Sequence, residues 1–194
     1  MLVVILLLIG SMSFAQNPYS LSGEVLYIQP MGKVDNRLVW SVDSAVRRFY
    51  GCRSIILQSI EPTTDLLTPS KKKYDGDKII NKFRTYNKRI LIITEKDLSH
   101  FGNQYYPEWS IWGYAQIGGI TGVISTHLLK EDGSGIRVVT IRLIKDALHE
   151  LGHNVGLNHC TRDKRCLMNS GGKGLSELDD ECIWLCDYCR ARIK

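Results

Sequence analysis

The chain has 194 residues, of which 44% are hydrophobic and 23% are charged. This length fits a single domain, and the composition excludes a long disordered chain. Lysine and arginine number 25 against 20 aspartates and glutamates, a net charge of +5. Because the only compact basic run is Lys71–Lys73, no nucleic-acid partner is indicated.

The first fifteen residues have the pattern of a secretory signal peptide. Leu2–Gly10 is almost entirely aliphatic, and the small-x-small sequence Ser13–Ala15 follows it. We therefore predict a signal peptide over residues 1–15, cleaved before Gln16, and one domain over residues 16–194. The protein would then be exported, as a periplasmic or secreted protein; if the segment is instead a buried strand, the protein is cytoplasmic. The apolar run is too short to span a bilayer comfortably, so we expect no stable membrane anchor.

The chain up to residue 73 predicts two strands separated by one helix. Glu24–Ile28 alternates in the way that is typical of a strand. Apolar residues then recur at helical spacing after Asp35, in the cap region, until Gly51 ends the helix. Ser54–Leu57 is a short apolar run that predicts a buried strand. The polar segment Glu61–Lys73 contains two prolines and predicts a loop.

The middle of the chain continues this alternation. Asp77–Tyr86 predicts a helix, and Ile90–Ile93 is the most strand-like run in the sequence. The order strand, helix, strand, helix, strand indicates an α/β fold, in which a mixed, mostly parallel sheet packs against helices. Trp112–Ser125 is apolar and broken by glycines, and it predicts two further short strands around Gly118 and Gly119. Glu131–Gly135 predicts a loop.

Five residues between positions 149 and 159 form the pattern of a metal site. His149 and His153 are four residues apart, so one helix directs both imidazoles to the same point. Gly156 can take a left-handed conformation that ends the helix and lets His159 return as a third nitrogen ligand. Three protein ligands leave the fourth zinc position to water, which is the catalytic pattern. Glu150, rotated about 100° from His149, can then take a proton from that water without binding the metal.

The residues around this pattern resemble a known metalloprotease family. H-E-x-x-H-x-x-G-x-x-H is the metzincin pattern, and Cys160 directly follows its third histidine. Cys166-Leu167-Met168 comes next, and after seventeen intervening residues the chain reads Cys186-x-x-Cys189. This arrangement closely resembles the archaemetzincins, although the gap of five residues between the first two cysteines is one longer than is usual in that family.

The resemblance implies a zinc metallopeptidase with a zincin-like fold and two zinc sites. The catalytic zinc would be held by His149, His153 and His159, with Glu150 as the general base. Met168 would be the methionine of the Met-turn, the tight turn beneath the metal. The structural zinc would be held by the four cysteines of the motif: Cys160, Cys166, Cys186 and Cys189. The implied partner is a peptide or protein substrate, and we expect a monomer. The competing hypothesis is a zinc-stabilised peptide-binding protein of the same fold that cleaves weakly or not at all.

The residues themselves also favour a cysteine metal site. Ser176–Asp179 resembles a capping box, which predicts a last helix from Ser176 onward. Cys186 and Cys189 would lie on one face of that helix and tie it to the active-site motif through zinc. Because exported cysteines tend to oxidise, two disulfides among the four cysteines are the alternative. Cys52 and Cys182 either pair or stay free, and Cys182, one turn before Cys186, could displace a zinc ligand.

A candidate peptide-binding edge precedes the active-site helix. In metzincin-like folds, a sheet edge above this helix binds peptide by strand addition, and Ile117–Thr126 is our candidate for it. Gly119 and Gly122 would let a peptide backbone approach closely and are the predicted substrate contacts. The alternative is that these glycines only form a tight hairpin.

Overall fold

A computed structural model describes residue 21 and residues 23–100, 108–169 and 174–193. The predicted signal peptide lies outside these residues, so export and the domain boundary at residue 16 stay predictions. Within the described chain, no helix combines the length and apolarity needed to cross a membrane.

Eight strands and five α-helices form from the described residues. The strands are β1 (Val25–Met31), β2 (Arg53–Ile56), β3 (Tyr74–Asp75), β4 (Ile90–Thr94), β5 (Leu98–His100), β6 (Trp109–Ile111), β7 (Gly113–Ala115) and β8 (Thr121–Ser125). The helices are α1 (Asn36–Tyr50), α2 (Gly76–Arg84), α3 (Ile136–Asn154), α4 (Leu175–Asp180) and α5 (Asp187–Arg190).

The main sheet has the order β2-β1-β4-β8-β7. The four strands from β2 to β8 are parallel, and β7 pairs antiparallel to β8. The predicted α/β fold with a mostly parallel sheet is therefore confirmed. A second, smaller sheet has the order β3-β5-β6. Its last strand, β6, directly precedes β7 in the chain.

Helices cover both faces of the main sheet. Side chains of α1 and α3 pack with Leu91, Ile93 and Ile124 in one buried cluster. Side chains of α2 pack with Ile92 and Val123 in a second cluster. Consecutive residues of β4 thus point to opposite faces, as the strand period requires, and this explains why Ile90–Ile93 is apolar at every position.

Capping residues set the ends of α1 as the sequence predicts. The Asp35 carboxylate accepts a hydrogen bond from the Arg37 backbone N–H at 2.9 Å, which satisfies one of the free donors at the helix start. Gly51 ends the helix in the left-handed region, with φ of 66°, and its N–H donates to the Arg47 carbonyl.

Two predictions about strand position are wrong. The run Ser54–Leu57 is not buried: β2 is the outermost strand, and Ile55 and Ile56 are 46% and 37% exposed. The stretch Ile117–Thr126 is not a sheet edge, because its strand, β8, lies between β4 and β7 and is buried throughout. An apolar run fits an edge and a core strand equally well, and only the strand order separates them.

The carboxyl-terminal region is not the single helix that the capping box predicts. α4 ends at Asp180, Gly174 rather than Ser176 occupies its cap position, and Cys186 caps the separate one-turn helix α5. Tertiary hydrogen bonds replace the helical ones at this break. Buried Lys145 donates to the Leu178 and Asp179 carbonyls at 2.6 and 2.8 Å, so the last carbonyls of α4 are paired without a further helical turn.

The segment after α4 is tied instead to the loop before the Met-turn. The Cys182 N–H donates to the Arg165 carbonyl at 2.9 Å, and the Leu167 N–H donates to the Trp184 carbonyl at 2.9 Å. These two backbone bonds bring the last cysteines against the end of the histidine motif.

Candidate metal centres

The amino acids of the histidine motif lie where α3 ends. The Gly156 N–H donates to the His153 carbonyl, and the Leu157 N–H donates to the Gly152 carbonyl, both at 2.9 Å. Gly156 takes a φ of 93°, the left-handed conformation that the sequence predicts for this turn. The chain therefore reverses and returns His159 to the histidines of the helix.

The three imidazoles converge through their Nε2 atoms. Nε2 of His153 lies 3.1 Å from Nε2 of His149 and 3.2 Å from Nε2 of His159. The Nδ1 atoms of His149 and His153 face the Leu167 and Leu157 carbonyls, each at 2.8 Å. A carbonyl only accepts, so each Nδ1 carries the proton and each Nε2 presents a lone pair.

This arrangement fits a zinc ion. Tetrahedral coordination with ordinary Zn–N bonds separates two nitrogen ligands by about 3.3 Å. Two Nε2 lone pairs at this distance repel unless a cation lies between them. Protonation does not supply that cation, because burial and the neighbouring His153 lower the pKa of His149 to about 3.

Glu150 lies beside this centre but is not one of the grouped ligand atoms. Its side chain is buried, and burial together with the Asp146 carboxyl raises its pKa. Two glycines leave space for it. A Cβ on Gly113 would lie 2.8 Å from Glu150 Cγ, and a Cβ on Gly122 would lie 3.7 Å from Glu150 Cβ. Gly122, predicted as a substrate contact, thus packs in the core beneath this helix.

Met168 lies beneath α3, as the resemblance implies for a Met-turn. It is fully buried, and its Sδ occupies the space that a Cβ on Gly152 would enter. The Met168 carbonyl accepts a hydrogen bond from the Cys160 N–H at 2.5 Å. The same turn supplies the Leu167 carbonyl that orients His149, so the turn positions one histidine and one cysteine together.

The four cysteines of the motif form a second cluster. All four are buried, and their Sγ atoms lie within 4.8 Å of one another. Sγ of Cys160 lies 3.6 Å from Sγ of Cys186, close to the separation of about 3.8 Å between two sulfurs on a tetrahedral zinc ion. A disulfide needs about 2.05 Å, and all four thiols are free. The longer gap between Cys160 and Cys166 does not prevent either from joining the cluster.

The chemistry of this cluster also fits a structural zinc ion. Without a cation, burial raises the pKa of the Cys166 thiol to about 11 and raises the pKa of Cys189 further. A bound zinc ion stabilises the thiolates and reverses this effect. The site would join the Met-turn region to α5, which is the tie that the sequence predicts, although no long terminal helix is involved.

The two remaining cysteines are also free thiols. Cys52 is buried, with its Sγ 3.8 Å from the Val46 carbonyl of α1. Cys182 is partly exposed and accepts a hydrogen bond from the Arg165 guanidinium at 3.0 Å. Cys182 does not displace a ligand, because the chain is not helical between it and Cys186.

A cleft of about 470 Å³ opens beside the histidines. Most of the described residues that line it lie in β6, β7 and α3 or follow Met168, and the full set is Trp109, Ser110, Ile111, Trp112, Gly113, Leu128, Asp146, His149, Glu150, His159, Asn169, Gly174, Leu178 and Glu181. The sheet edge next to this cleft is β7. Gly119 and Gly122, the predicted substrate contacts, are not among the residues that line this cleft, and their contact with substrate stays a prediction.

Sequence reasoning missed two acidic residues of the cleft, Asp146 and Glu181. Both are buried, and desolvation raises the pKa of Asp146 and brings that of Glu181 to about 8. Asp146 precedes Glu150 by one helical turn, and this spacing in an apolar helix was the available signal. Glu181 carried no comparable signal, because its position depends on where α4 ends.

Comparisons with known proteins agree with this geometry. The sequence profile of Peptidase family M54 matches residues 58–194. The archaemetzincin of Haloarcula marismortui is 26% identical over 175 residues, which cover 86% of this chain and 97% of that protein. The archaemetzincin of Archaeoglobus fulgidus is 24% identical over 169 residues, which cover 87% of this chain and 98% of that protein.

Solved structures share the fold. The crystal structure of the Archaeoglobus fulgidus archaemetzincin complexed with malonate superposes with a TM-score of 0.73 at 22% identity, and covers 87% of this chain and 99% of that one. The structure of a zinc-dependent peptidase from Methanocorpusculum labreanum also superposes with a TM-score of 0.73, at 19% identity. The match covers 87% of this chain and 100% of that one.

Proposed function

The chain belongs to Peptidase family M54, the archaemetzincin family, and on this premise we propose that it is an active zinc metallopeptidase with Glu150 as its general base. The observation that carries the proposal is the convergence of three Nε2 atoms beside a buried carboxyl group in an open cleft. His149, His153 and His159 would hold the catalytic zinc ion, and the four clustered cysteines would hold a structural one.

The residues of the site would have different roles in peptide hydrolysis. When bound, the catalytic zinc would supply a Lewis acid that polarises the scissile carbonyl and lowers the pKa of the attacking water. Glu150 would take the proton from that water and deliver it to the leaving amine. His149 and His153 are kept in the ligating tautomer by their carbonyl partners, so neither is available as the base.

The peptide would lie along β7. This strand has one partner in the main sheet, so its other edge can pair with an extended chain. Gly113 is part of β7 and lies directly over Glu150. A peptide bound there by backbone hydrogen bonds would pass across the mouth of the cleft.

The test is a cleavage assay with a quenched-fluorescence peptide library and parallel zinc analysis. We expect Glu150→Gln to keep its zinc and to lose about 10²–10⁴-fold in rate, since it removes a base and not a ligand. His153→Ala should lose the catalytic zinc as well. Glu131→Gln, which neutralises an exposed loop residue, is the matched control and should cleave normally.

Two results would contradict this assignment. Equal zinc loss in Glu150→Gln and His153→Ala would show that Glu150 is a ligand. A zinc-loaded protein that binds peptides but cleaves none would instead support the alternative, a peptide-binding protein of the same fold.

Export, a single domain over residues 16–194 and a monomeric state remain part of the proposal. Mass analysis of the protein from its native cell should find a chain that starts at Gln16. A mature chain that retains the first fifteen residues would contradict the signal peptide.

A further inference from the structure

Three acidic side chains share one side of the cleft. Asp146 and Glu150 come from α3, and Glu181 comes from the segment after α4. Their exposures are 5%, 6% and 5%, yet all three line the open cleft. The structure therefore concentrates three carboxyl groups at the place where substrate would enter.

Each of these residues has one buried oxygen without a hydrogen-bond partner among the described residues: Oδ2 of Asp146, Oε2 of Glu150 and Oε1 of Glu181. Leaving a buried polar atom unpaired is costly. Lys145 lies near enough to Glu181 to oppose the rise in its pKa, but its hydrogen bonds go to the Leu178 and Asp179 carbonyls and not to these oxygens.

Arg142 is likewise committed elsewhere. Its guanidinium is 3% exposed and forms ion pairs with Asp132 at 2.8 Å and with Asp179 at 2.6 Å. These bonds hold α4 against α3 and so place Glu181, but they leave no donor for the cleft oxygens. The missing donor is then expected to come from a molecule that enters the cleft.

The spacing of the carboxyl groups favours an extended organic cation over a metal ion. Among the described residues, only the histidine set and the cysteine set bring three or more ligand atoms within 4.8 Å of one another. The acidic trio is more widely spread. The lining of the same cleft also includes Trp112, Ile111 and Leu128, against which an aliphatic stem can pack while its charged end reaches the carboxyl groups.

We propose that Asp146 and Glu181 form a specificity subsite for the side chain of a lysine or arginine next to the scissile bond of the peptide. The inference rests on the proposed peptidase function, and it names the class of substrate. Gly113 supports it, because a Cβ there would lie 2.9 Å from Asp146 Oδ1. Gly113 therefore lets β7 pack directly against the acidic residues, so a peptide bound along β7 would pass next to them.

The experiment measures binding rather than cleavage. The probes are hydroxamates, which chelate zinc, with an Nα-acetylated lysine or norleucine side chain placed on either side of the chelating group. Norleucine keeps the aliphatic stem and lacks the ammonium group, and acetylation removes the terminal amine. At about pH 9, where Glu181 with its pKa of about 8 is ionised and lysine is still protonated, zinc-loaded wild-type protein should bind one lysine probe about tenfold more tightly than its norleucine partner, as a close charge pair provides.

Two variants locate the effect. Glu181→Gln should reduce the lysine-to-norleucine ratio from about tenfold to below about threefold. Asp180→Asn removes the same charge from the adjacent residue, which is exposed and does not line the cleft, and should keep the ratio. In wild-type protein the ratio should also fall as salt rises from 0.05 to about 0.5 M, because screening weakens the charge pair. This measurement needs no variant.

The outcomes separate this inference from the proposed function. A lysine preference without any peptide cleavage would support the subsite and contradict the peptidase. Cleavage without a lysine preference, or an equal loss of preference in Glu181→Gln and Asp180→Asn, would overturn the subsite. If neither the lysine probes nor the norleucine probes bind the zinc-loaded protein, the subsite is overturned as well, since the cleft would then not be a ligand site.

Discussion

Gly152 is a sensitive position, because a methyl group there enters the space of Met168. Gly152 lies inside α3, where replacing glycine by alanine ordinarily stabilises a helix by about 1 kcal/mol. Here the added Cβ would overlap Met168 Sδ and lie 3.1 Å from Met168 Cε. Met168 is fully buried, so it cannot swing away into solvent.

The two effects have opposite signs, and the structure indicates which is larger. Overpacking a buried site costs about 1–3 kcal/mol, which exceeds the gain in helix propensity. We therefore expect Gly152→Ala to lower the free energy of unfolding by about 1 kcal/mol. In a Met168→Ala background the overlap is absent, and the same substitution should raise that free energy by about 1 kcal/mol.

A double-mutant cycle in urea measures this reversal. The four proteins are compared at one fixed free zinc concentration, because zinc binding to the native state adds to the free energy of unfolding. Gly135→Ala is the control, since a Cβ there meets nothing within 4 Å. Because Gly135 is the N-cap residue of α3, where alanine is the poorer residue, this change should lower the free energy of unfolding by up to about 1 kcal/mol, and equally in both backgrounds. If Gly152→Ala stabilises the protein in both backgrounds, the packing of Met168 beneath the helix is not as described.

Further predictions concern metal content, the cleft and pH. Cys166→Ser should reduce the zinc content found by metal analysis from about two ions per chain to about one. It should also lower the Tm, while the histidine site keeps its zinc. Gly113→Ala should keep both zinc ions but lower kcat/KM about tenfold or more, because its Cβ would come 2.8 Å from Glu150 Cγ; unchanged kinetics would contradict the close approach of β7. Acidification should destabilise the metal-free protein, since the unfolded imidazole binds a proton near pH 6.5 whereas burial keeps the pKa of His149 at about 3. This stability is present above about pH 6.5 and is lost as the pH falls toward 3, which denaturation curves at several pH values would show; a flat profile would argue against buried, neutral histidines.

Local signals in the sequence were sufficient for much of this protein. Asp35 and Gly51 mark the ends of α1 because capping and left-handed turns depend on one or two residues. The spacing of His149, His153 and His159 predicts their convergence, because a helix and one glycine turn determine where these side chains point. The alternation of strands and helices likewise predicts a mostly parallel sheet, because parallel strands need crossover connections.

Other features depended on tertiary contacts. β8 and β7 are adjacent short strands, and only pairing with β4 decides that β8 is buried and β7 is the edge. The cysteine cluster forms without a long last helix. Lys145 pairs with the carbonyls at the end of α4, and backbone hydrogen bonds of Cys182 and Trp184 tie the following segment to the loop that holds Cys166.

The acidic residues of the cleft include one whose position the sequence predicts and one whose position only the tertiary structure determines. Asp146 is placed by its helical spacing from Glu150, which the sequence contains. Glu181 reaches the same cleft only because Arg142 and Lys145 hold α4 against α3. A pattern within one helix determines which residues share its face. The meeting of two helices depends instead on hydrogen bonds between residues that are 37 and 33 positions apart in the chain. The sequence by itself therefore determined the candidate metal ligands, and the tertiary structure decided what surrounds them.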